Sequence, residues 1–457
     1  METFGTRNRI LLFSLLALWT VASPLTARGD VSAAEAGRRA YVAELTEFGG
    51  VGDGVTSNTK AFLYAVANLS RRASGGCGGG AMLVVPAGRW LTGPFNLTSH
   101  FTLFLHSDAV ILASTDINEY PIVAPLPSYG RGRDLPGGRY SNFIWGSNLT
   151  DVIITGENGT INGQGQFWWD KFHKKELNST RGHLLELMYS KNILIANLTF
   201  INSPFWNVHP VYCKNVVIAN ITILAPVDSP NTDGINPDSC SNVIIEDNFI
   251  ISGDDCVAIK SGWDEYGIRV GIPSEQIIVR RLTCISPTSA VIAIGSEMSG
   301  GVRQIFAENI TAINSESALR IKTAVGRGGF VRDVFVQGMT LHTMKYVLWF
   351  AVNYGNHPDD GWDPAALPEI ERISIGDVFA ENVTMVGRLE GIQKVTFRDI
   401  FLWNLTARPS AAAAAKKVQW NCSYVEGAAC KVSPKPCDEL GKAVEPFDFR
   451  GVDLNRP

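Results

Sequence analysis

SKNILIANLTF at 190–200, CKNVVIANITI at 213–223 and CSNVIIEDNFI at 240–250 are one phrase written three times. Each copy opens on a polar residue and an Asn, alternates apolar positions, breaks at a short polar step and closes on another apolar pair. A period of two is the signature of a strand with one buried face. LTDVIITGENGTING at 149–163 carries the phrase upstream. SEQIIVRRLTC (274–284), VRQIFAENITA (302–312), VRDVFVQGMTL (331–341), IERISIGDVF (370–379) and IQKVTFRDIFL (392–402) carry weaker copies downstream. The spacing is uneven, roughly 22 to 40 residues, as expected when loops of different length interrupt a common layer. Asn-Gly hairpin turns do not separate these strands, which argues against a β-sandwich. The phrase predicts an all-β chain, a right-handed parallel β-helix, over about 42–407. Asn at the recurring turn suggests an internal side-chain ladder.

A solenoid must hide its open apolar end. The stretch after FGGVGDGV offers Ser57 and Asn58 as helix caps, then apolar residues at Ala61, Phe62, Ala65 and Leu69. That spacing predicts a capping helix over 57–72. Two long interruptions, 113–141 and 353–368, read as loops overhanging one face. The Ala-rich tract at 408–417 reads as a surface loop, opening a Cys-containing tail over 408–457.

The net charge of −4 and isoelectric point near 6.0 give no basic run for a nucleic-acid partner. Residues 1–27 read as a secretory leader. Arg7 and Arg9 precede the apolar run Ile10 to Val21, and Leu25, Thr26 and Ala27 form a small-residue exit. The run is short for a bilayer span, so an uncleaved anchor is the minor alternative and no membrane contact is expected after processing. Asn-x-Ser/Thr acceptors from Asn68 to Asn421 and eight cysteines suit an oxidising, extracellular compartment such as a cell wall. Cys213 with Cys240, and Cys256 with Cys284, are each about one layer apart, so each pair is placed to bridge neighbouring layers. No Cys-x-x-Cys or paired His accompanies them, so no metal and no cofactor is expected. A monomer is expected.

The chemistry concentrates between Asn231 and Cys256. NTDG at 231–234 and GDDC at 253–256 place Asp233, Asp254 and Asp255 within one layer of each other. Parallel strands lie roughly 4.8 Å apart, so such carboxylates would crowd and drive their pKa values apart. Turn chemistry alone explains one Asn-Asp-Gly cluster, but not two with a basic pair downstream. Asp254 and Asp255 would point to opposite faces of an ideal strand, so Gly253 is expected to bend the chain. Arg320 and Lys322 are two apart, hence on one face, with apolar flanks, and suit an anionic sugar.

NTDG, GDDC and Arg320-Ile321-Lys322 in this order resemble the polygalacturonases of glycoside hydrolase family 28. FGGVGDG at 48–54, GTINGQGQFWW at 159–169 and NSPFWNVHP at 202–210 resemble its plant members, over about 42–405. The resemblance implies a right-handed parallel β-helix and inverting hydrolysis of α-1,4 bonds between galacturonic acid residues, with pectin as the acidic polysaccharide partner. It implies Asp254 as general acid, Asp233 and Asp255 as the groups that activate water, and Arg320 and Lys322 as binders of the substrate carboxylate. Asn231 and His209 are expected to join the substrate-binding set. One departure stands out. The family's Gly-His-Gly is Ser289, Ala290 and Val291 here, so the histidine is missing. Glu297 and His209 are candidates to compensate. Two other readings remain open: a calcium-dependent pectate-type lyase on the same fold, and a wall-binding relative without activity.

Overall fold

The structure is a computed structural model that describes residues 39–74, 79–416 and 418–441. The expected leader at 1–27, and Cys77, lie outside the described residues. The chain winds as a right-handed parallel β-helix whose layers follow the repeated phrase. Lys191–Ala196 lies on Lys214–Ala219, which lies on Ser241–Glu246 and then Ser274–Arg280. Ile193, Val216, Val243, Ile277, Ile305, Val334, Ile373 and Ile400 stand in register through eight layers, and all are buried. The closing apolar pair of each phrase builds a second sheet, aligning Phe200, Ile223, Ile250 and Cys284. Like side chains thus stack directly, and the core is a set of apolar columns along the axis. Ile245, fully buried between Ile218 and Val279, tests this packing. Ile245→Ala is expected to cost about 2–5 kcal/mol. Urea unfolding should show the loss as a lower midpoint at unchanged slope.

The corner between the first two sheets falls on Asn197 and Asn220, at φ +57° and +50°. Asn tolerates this left-handed conformation better than most side chains. The expected ladder exists, but on the outside. Asn220 Nδ2 donates to Asn197 Oδ1 at 2.8 Å, and Asn215 Nδ2 and Asn242 Nδ2 each donate to the preceding Asn at 2.9 Å. A left-handed corner turns its side chain away from the core. The internal polar step is Asn248, which accepts from the Ile221 N–H and donates to the Ile218 carbonyl.

The helix Thr59–Ser74 covers the first layer as expected, with Phe62 stacked on Phe95 at 4.5 Å between ring centroids. Asn58 does not cap it through its side chain. That amide donates to Val51, Thr56 and Leu91 carbonyls and ties the Gly-rich turn to the next strand. The far end differs from expectation as well. Trp420–Ser423 pairs with Glu369–Glu390, and Val425–Ser433 pairs with Phe397–Pro409, so the solenoid runs past residue 407 to Ser433. The Ala-rich tract forms a short helix, Ala411–Lys416, with Ala413 buried. Alanine has the highest helix propensity, and here it outweighs the low-complexity composition.

Cys256 and Cys284 form the expected disulfide between layers, and Cys422 bonds Cys437. Cys213 and Cys240 do not bridge. They remain thiols, and each sulfur donates to a carbonyl of the preceding layer, Leu187 at 3.1 Å and Pro210 at 3.3 Å. Adjacency in register brought them together, and Cys240 Sγ accepts the Cys213 N–H at 3.3 Å instead of forming a disulfide. Among the described residues no helix is long and apolar enough to cross a membrane.

Candidate active site

A third sheet carries the polar residues. It is built from Ile144–Ser147, Leu185–Met188 and Val208–Val211, then thins to single bridges at Ile235 and Asp238. Val257–Ile259 and Ala290–Ile294 resume it. Asp233 and Asp255 sit just ahead of Ile235 and Val257, which bridge each other, so they occupy neighbouring layers. The Gly234 N–H donates to the Asp255 carbonyl at 2.9 Å and fixes that register.

The bend expected at Gly253 is present. After Phe249–Ile251 the chain leaves the ladder. Ser252 Oγ accepts the Asp254 N–H at 3.0 Å, and Asp254 Oδ1 accepts the Asp255 N–H at 2.9 Å. A Cβ at position 253 would lie 2.2 Å from the Ser229 carbonyl oxygen, so only glycine fits the turn. The result is that consecutive carboxylates face one gap. One oxygen each from Asp233, Asp254 and Asp255 lie within 4.8 Å of one another.

The three environments differ. Asp255 Oδ1 accepts from Ser289 Oγ at 2.6 Å and from the Ala290 N–H at 3.1 Å, and Oδ2 accepts from Lys322 Nζ at 2.6 Å. Burial pushes its carboxyl up, but the charges of Lys322 and Lys260 and these hydrogen bonds outweigh it and hold Asp255 below the usual carboxylate range. Asp233 Oδ2 accepts from Asn236 Nδ2 at 2.8 Å, with Lys260 Nζ farther off at 3.9 Å. Burial and then Asp254 push Asp233 up to about 8. The trio therefore retains a proton near neutrality while Asp255 stays ionised, the split that acid–base chemistry needs.

Around the trio lies a cavity of about 420 Å³. Asn231, Arg320 and Lys322 are among the residues that line it. Asn231 Nδ2 reaches Asp254 Oδ2 at 3.4 Å, and its Oδ1 accepts from the buried Arg181 at 2.8 Å. Arg320 lies over the Trp349 ring at 3.6 Å and pairs with Glu316 at 2.8 Å. Lys322 is less available than expected, because its ammonium is already committed to Asp255.

His209 does not reach the cavity. It is fully buried, with Nδ1 on Glu186 at 2.9 Å and Nε2 on Asp238 at 3.4 Å. Its strand turns it into a polar network that also holds Arg139 and Tyr129. Neither this ring nor anything at 290 replaces the missing histidine. Ala290 is buried against Ala258 and Ala293, and only its N–H serves Asp255. Glu297 does line the cavity, but as a partner of Lys260 at 2.9 Å and Arg133 at 2.7 Å.

Several wall residues escaped sequence reading. Lys260 ends the apolar run Val257–Ile259, and a charge closing such a run was its only signal. Trp206 lies beneath the Lys260 ammonium at 4.5 Å. Arg133 and Asp134 come from the 113–141 loop and Tyr354 from the 353–368 loop. These loops meet on one side, where Arg131 donates to the Pro358 carbonyl at 3.0 Å.

A family model described as Glycosyl hydrolases family 28 matches residues 84–423. A "Probable polygalacturonase" of Vitis vinifera is 61% identical over 402 residues, covering 88% of this chain and 81% of that one. Among solved structures, a hyperthermoactive exopolygalacturonase from Thermotoga maritima is similar with a TM-score of 0.71 and 30% identity, over 81% of this chain and 88% of that one. A polygalacturonase from Erwinia carotovora ssp. carotovora shares the fold, with a TM-score of 0.64 and 22% identity over 89% and 98% of the two chains.

Proposed function

The chain belongs to glycosyl hydrolases family 28, and from that premise we propose that it hydrolyses the α-1,4-galacturonosyl bonds of pectin with Asp254 as general acid. As a member it is a glycosidase, and pectin hydrolysis is the activity its family supports. The carrying observation is three carboxylates around one gap with Lys260, Lys322, Arg320 and Arg133 in its walls. Carboxylates supply the acid and hold the water. The surrounding cations suit a sugar that itself carries a carboxylate.

In the proposed reaction the one proton that the trio shares is delivered from Asp254, the member at the cavity surface, to the departing glycosidic oxygen, and the productive form has Asp233 and Asp255 ionised. Asp233 and Asp255 hold a water against the anomeric carbon and accept its proton, giving inversion. Inverting pairs usually stand roughly 6.5–9.5 Å apart, and the 4.8 Å limit within this trio is closer to retaining geometry. The family resemblance outweighs that spacing here, because two of the three carboxylates act together on the water. Asp255 is also a poor nucleophile, with both oxygens already accepting hydrogen bonds.

A lyase would load divalent calcium on the acidic group. Two lysines already occupy that role around Asp233 and Asp255, which favours hydrolysis. The joined loops at 113–141 and 353–368 support attack from a chain end. Export through the 1–27 leader, glycosylation, a cell-wall location and a monomeric state complete the reading, with the mature chain forming one β-helical unit.

The test is incubation of the secreted protein with polygalacturonate and a defined oligomer, with product sizing and proton nuclear magnetic resonance of the first product. Saturated monomer with inverted anomeric configuration is expected from the start. An unsaturated, calcium-dependent product would establish a lyase, early release of long oligomers would remove the chain-end reading, and net retention would remove the inverting one.

A further inference from the structure

The cavity contains a buried ion pair, Lys260 with Glu297, to which the proposed reaction gives no step. Lys260 and Glu297 are both almost completely buried, at 4% and 1% exposure. Lys260 Nζ lies 2.9 Å from Glu297 Oε2, 3.9 Å from Asp233 Oδ2 and 4.5 Å above the Trp206 ring. Glu297 is held in turn by Arg133 at 2.7 Å and by Ser296 Oγ at 2.8 Å. Taking an ammonium and a carboxylate out of water is costly, and a buried pair is weak evidence for stability. An apolar pair would fill the same volume at less cost. The charge is instead next to Asp233, the buried carboxyl of the trio that Lys322, bound to Asp255, leaves without a close ion pair.

From this placement we infer that Lys260, fixed by Glu297, is the positioning residue that sets the charge of Asp233, while Asn236 holds its orientation. The inference rests on the proposed hydrolysis. It adds that the acid–base balance of the trio is set by the residue that follows the Val257–Ile259 strand. Asp233 faces Asp254, Asp255, Lys260, Lys322, the buried Arg181 and Asn236. Of these cations, Lys260 acts on it more strongly than Lys322. Lys260 in turn faces Glu297, Asp233, Asp255 and Lys322. The ammonium favours ionised Asp233, and Glu297 limits that effect by drawing the ammonium away.

Two substitutions then act in opposite directions. Lys260→Met keeps the stem and removes the charge, so ionising Asp233 becomes harder. The acid limb of kcat/KM on a defined oligogalacturonate, which reports the free enzyme, is expected to move up by about one pH unit or more. Glu297→Gln removes the anion that draws the ammonium away from Asp233, so the same limb is expected to move down. Lys260→Arg should return the limb toward the parent position. In Lys260→Met the loss should fall on kcat, with KM changed less than about threefold.

A structural role would lower the melting temperature and activity of both variants without moving either limb. A substrate-binding role would raise KM and spare kcat. Either result, or shifts of the same sign in both variants, overturns the inference. If Lys260→Met does not fold, the downward shift in Glu297→Gln decides alone. Lack of polygalacturonate hydrolysis by the parent enzyme would overturn the proposed function itself, and is thereby distinguished from an unmoved limb in an active enzyme.

Discussion

Asp254→Asn is expected to lower turnover on polygalacturonate by about two to four decades, the usual worth of a general acid. The substitution keeps the shape of the side chain. An amide oxygen can still accept the Asp255 N–H, so the bend that orients both neighbours survives. The proton to be donated is lost. Asp254 is also the member of the trio with partial exposure, while Asp233 and Asp255 are 3% and 1% exposed. The group at the surface is the one placed to meet the glycosidic oxygen. Because the trio acts as a unit, Asp233→Asn with Asp254→Asn should be little worse than the more damaging single change. Steady-state kinetics on a defined oligomer, beside an unchanged melting temperature, make the comparison. Activity within about tenfold of the parent would remove Asp254 from the acid role.

The sequence carried the fold because the solenoid repeats its instructions. Each copy of the phrase states the same columns, and errors in one copy are corrected by the others. Ile193, Val216 and Val243 were readable as one column for that reason. The trio was readable because its members fall within one layer along the chain. Lys260 and Tyr354 were not, because their distance from Asp233 in space is unrelated to their distance in sequence. The 353–368 loop could be placed on a face, but which of its side chains enters the cavity depends on how Trp263 and Arg327 anchor it to carbonyls of Tyr354 and Asn356. His209 shows the opposite failure. Its neighbourhood in sequence resembled a site, yet strand alternation turns it into the interior, where Glu186 and Asp238 await it. The cysteines divide in the same way. Register placed both pairs in contact, but only Cys256 and Cys284 bond, while Cys240 Sγ accepts the Cys213 N–H.

Lys322→Met should behave as the loss of a catalytic support rather than of a substrate contact, which reverses what its spacing from Arg320 suggests. In the folded protein Lys322 Nζ sits 2.6 Å from Asp255 Oδ2, with both groups buried. Removing one partner of such a pair strands the other charge, a loss of about 3–5 kcal/mol. The pH dependence follows by sign. In the parent, Asp255 is held below its ordinary value, chiefly because Lys322 overcomes burial. Its contribution to stability is therefore present above the unfolded pKa of about 3.9 and is lost as pH falls through the lowered folded value. In the variant, burial prevails and the folded pKa rises above the unfolded one, so the penalty is largest near neutrality and fades as Asp255 protonates. The difference in melting temperature between parent and variant should accordingly be larger at pH 7 than near pH 4. Catalysis should follow the same group. Protonated Asp255 cannot accept a proton from water, so kcat should fall by about two decades, most strongly on the acid side, with little change in KM. Arg320→Ala gives the contrast. Its guanidinium rests on Trp349 and touches none of the three carboxylates by hydrogen bond, so its loss should raise KM and largely spare kcat. A Lys322→Met enzyme with normal kcat and a raised KM would return that lysine to substrate binding and leave Asp255 supported by Ser289 and Ala290 alone.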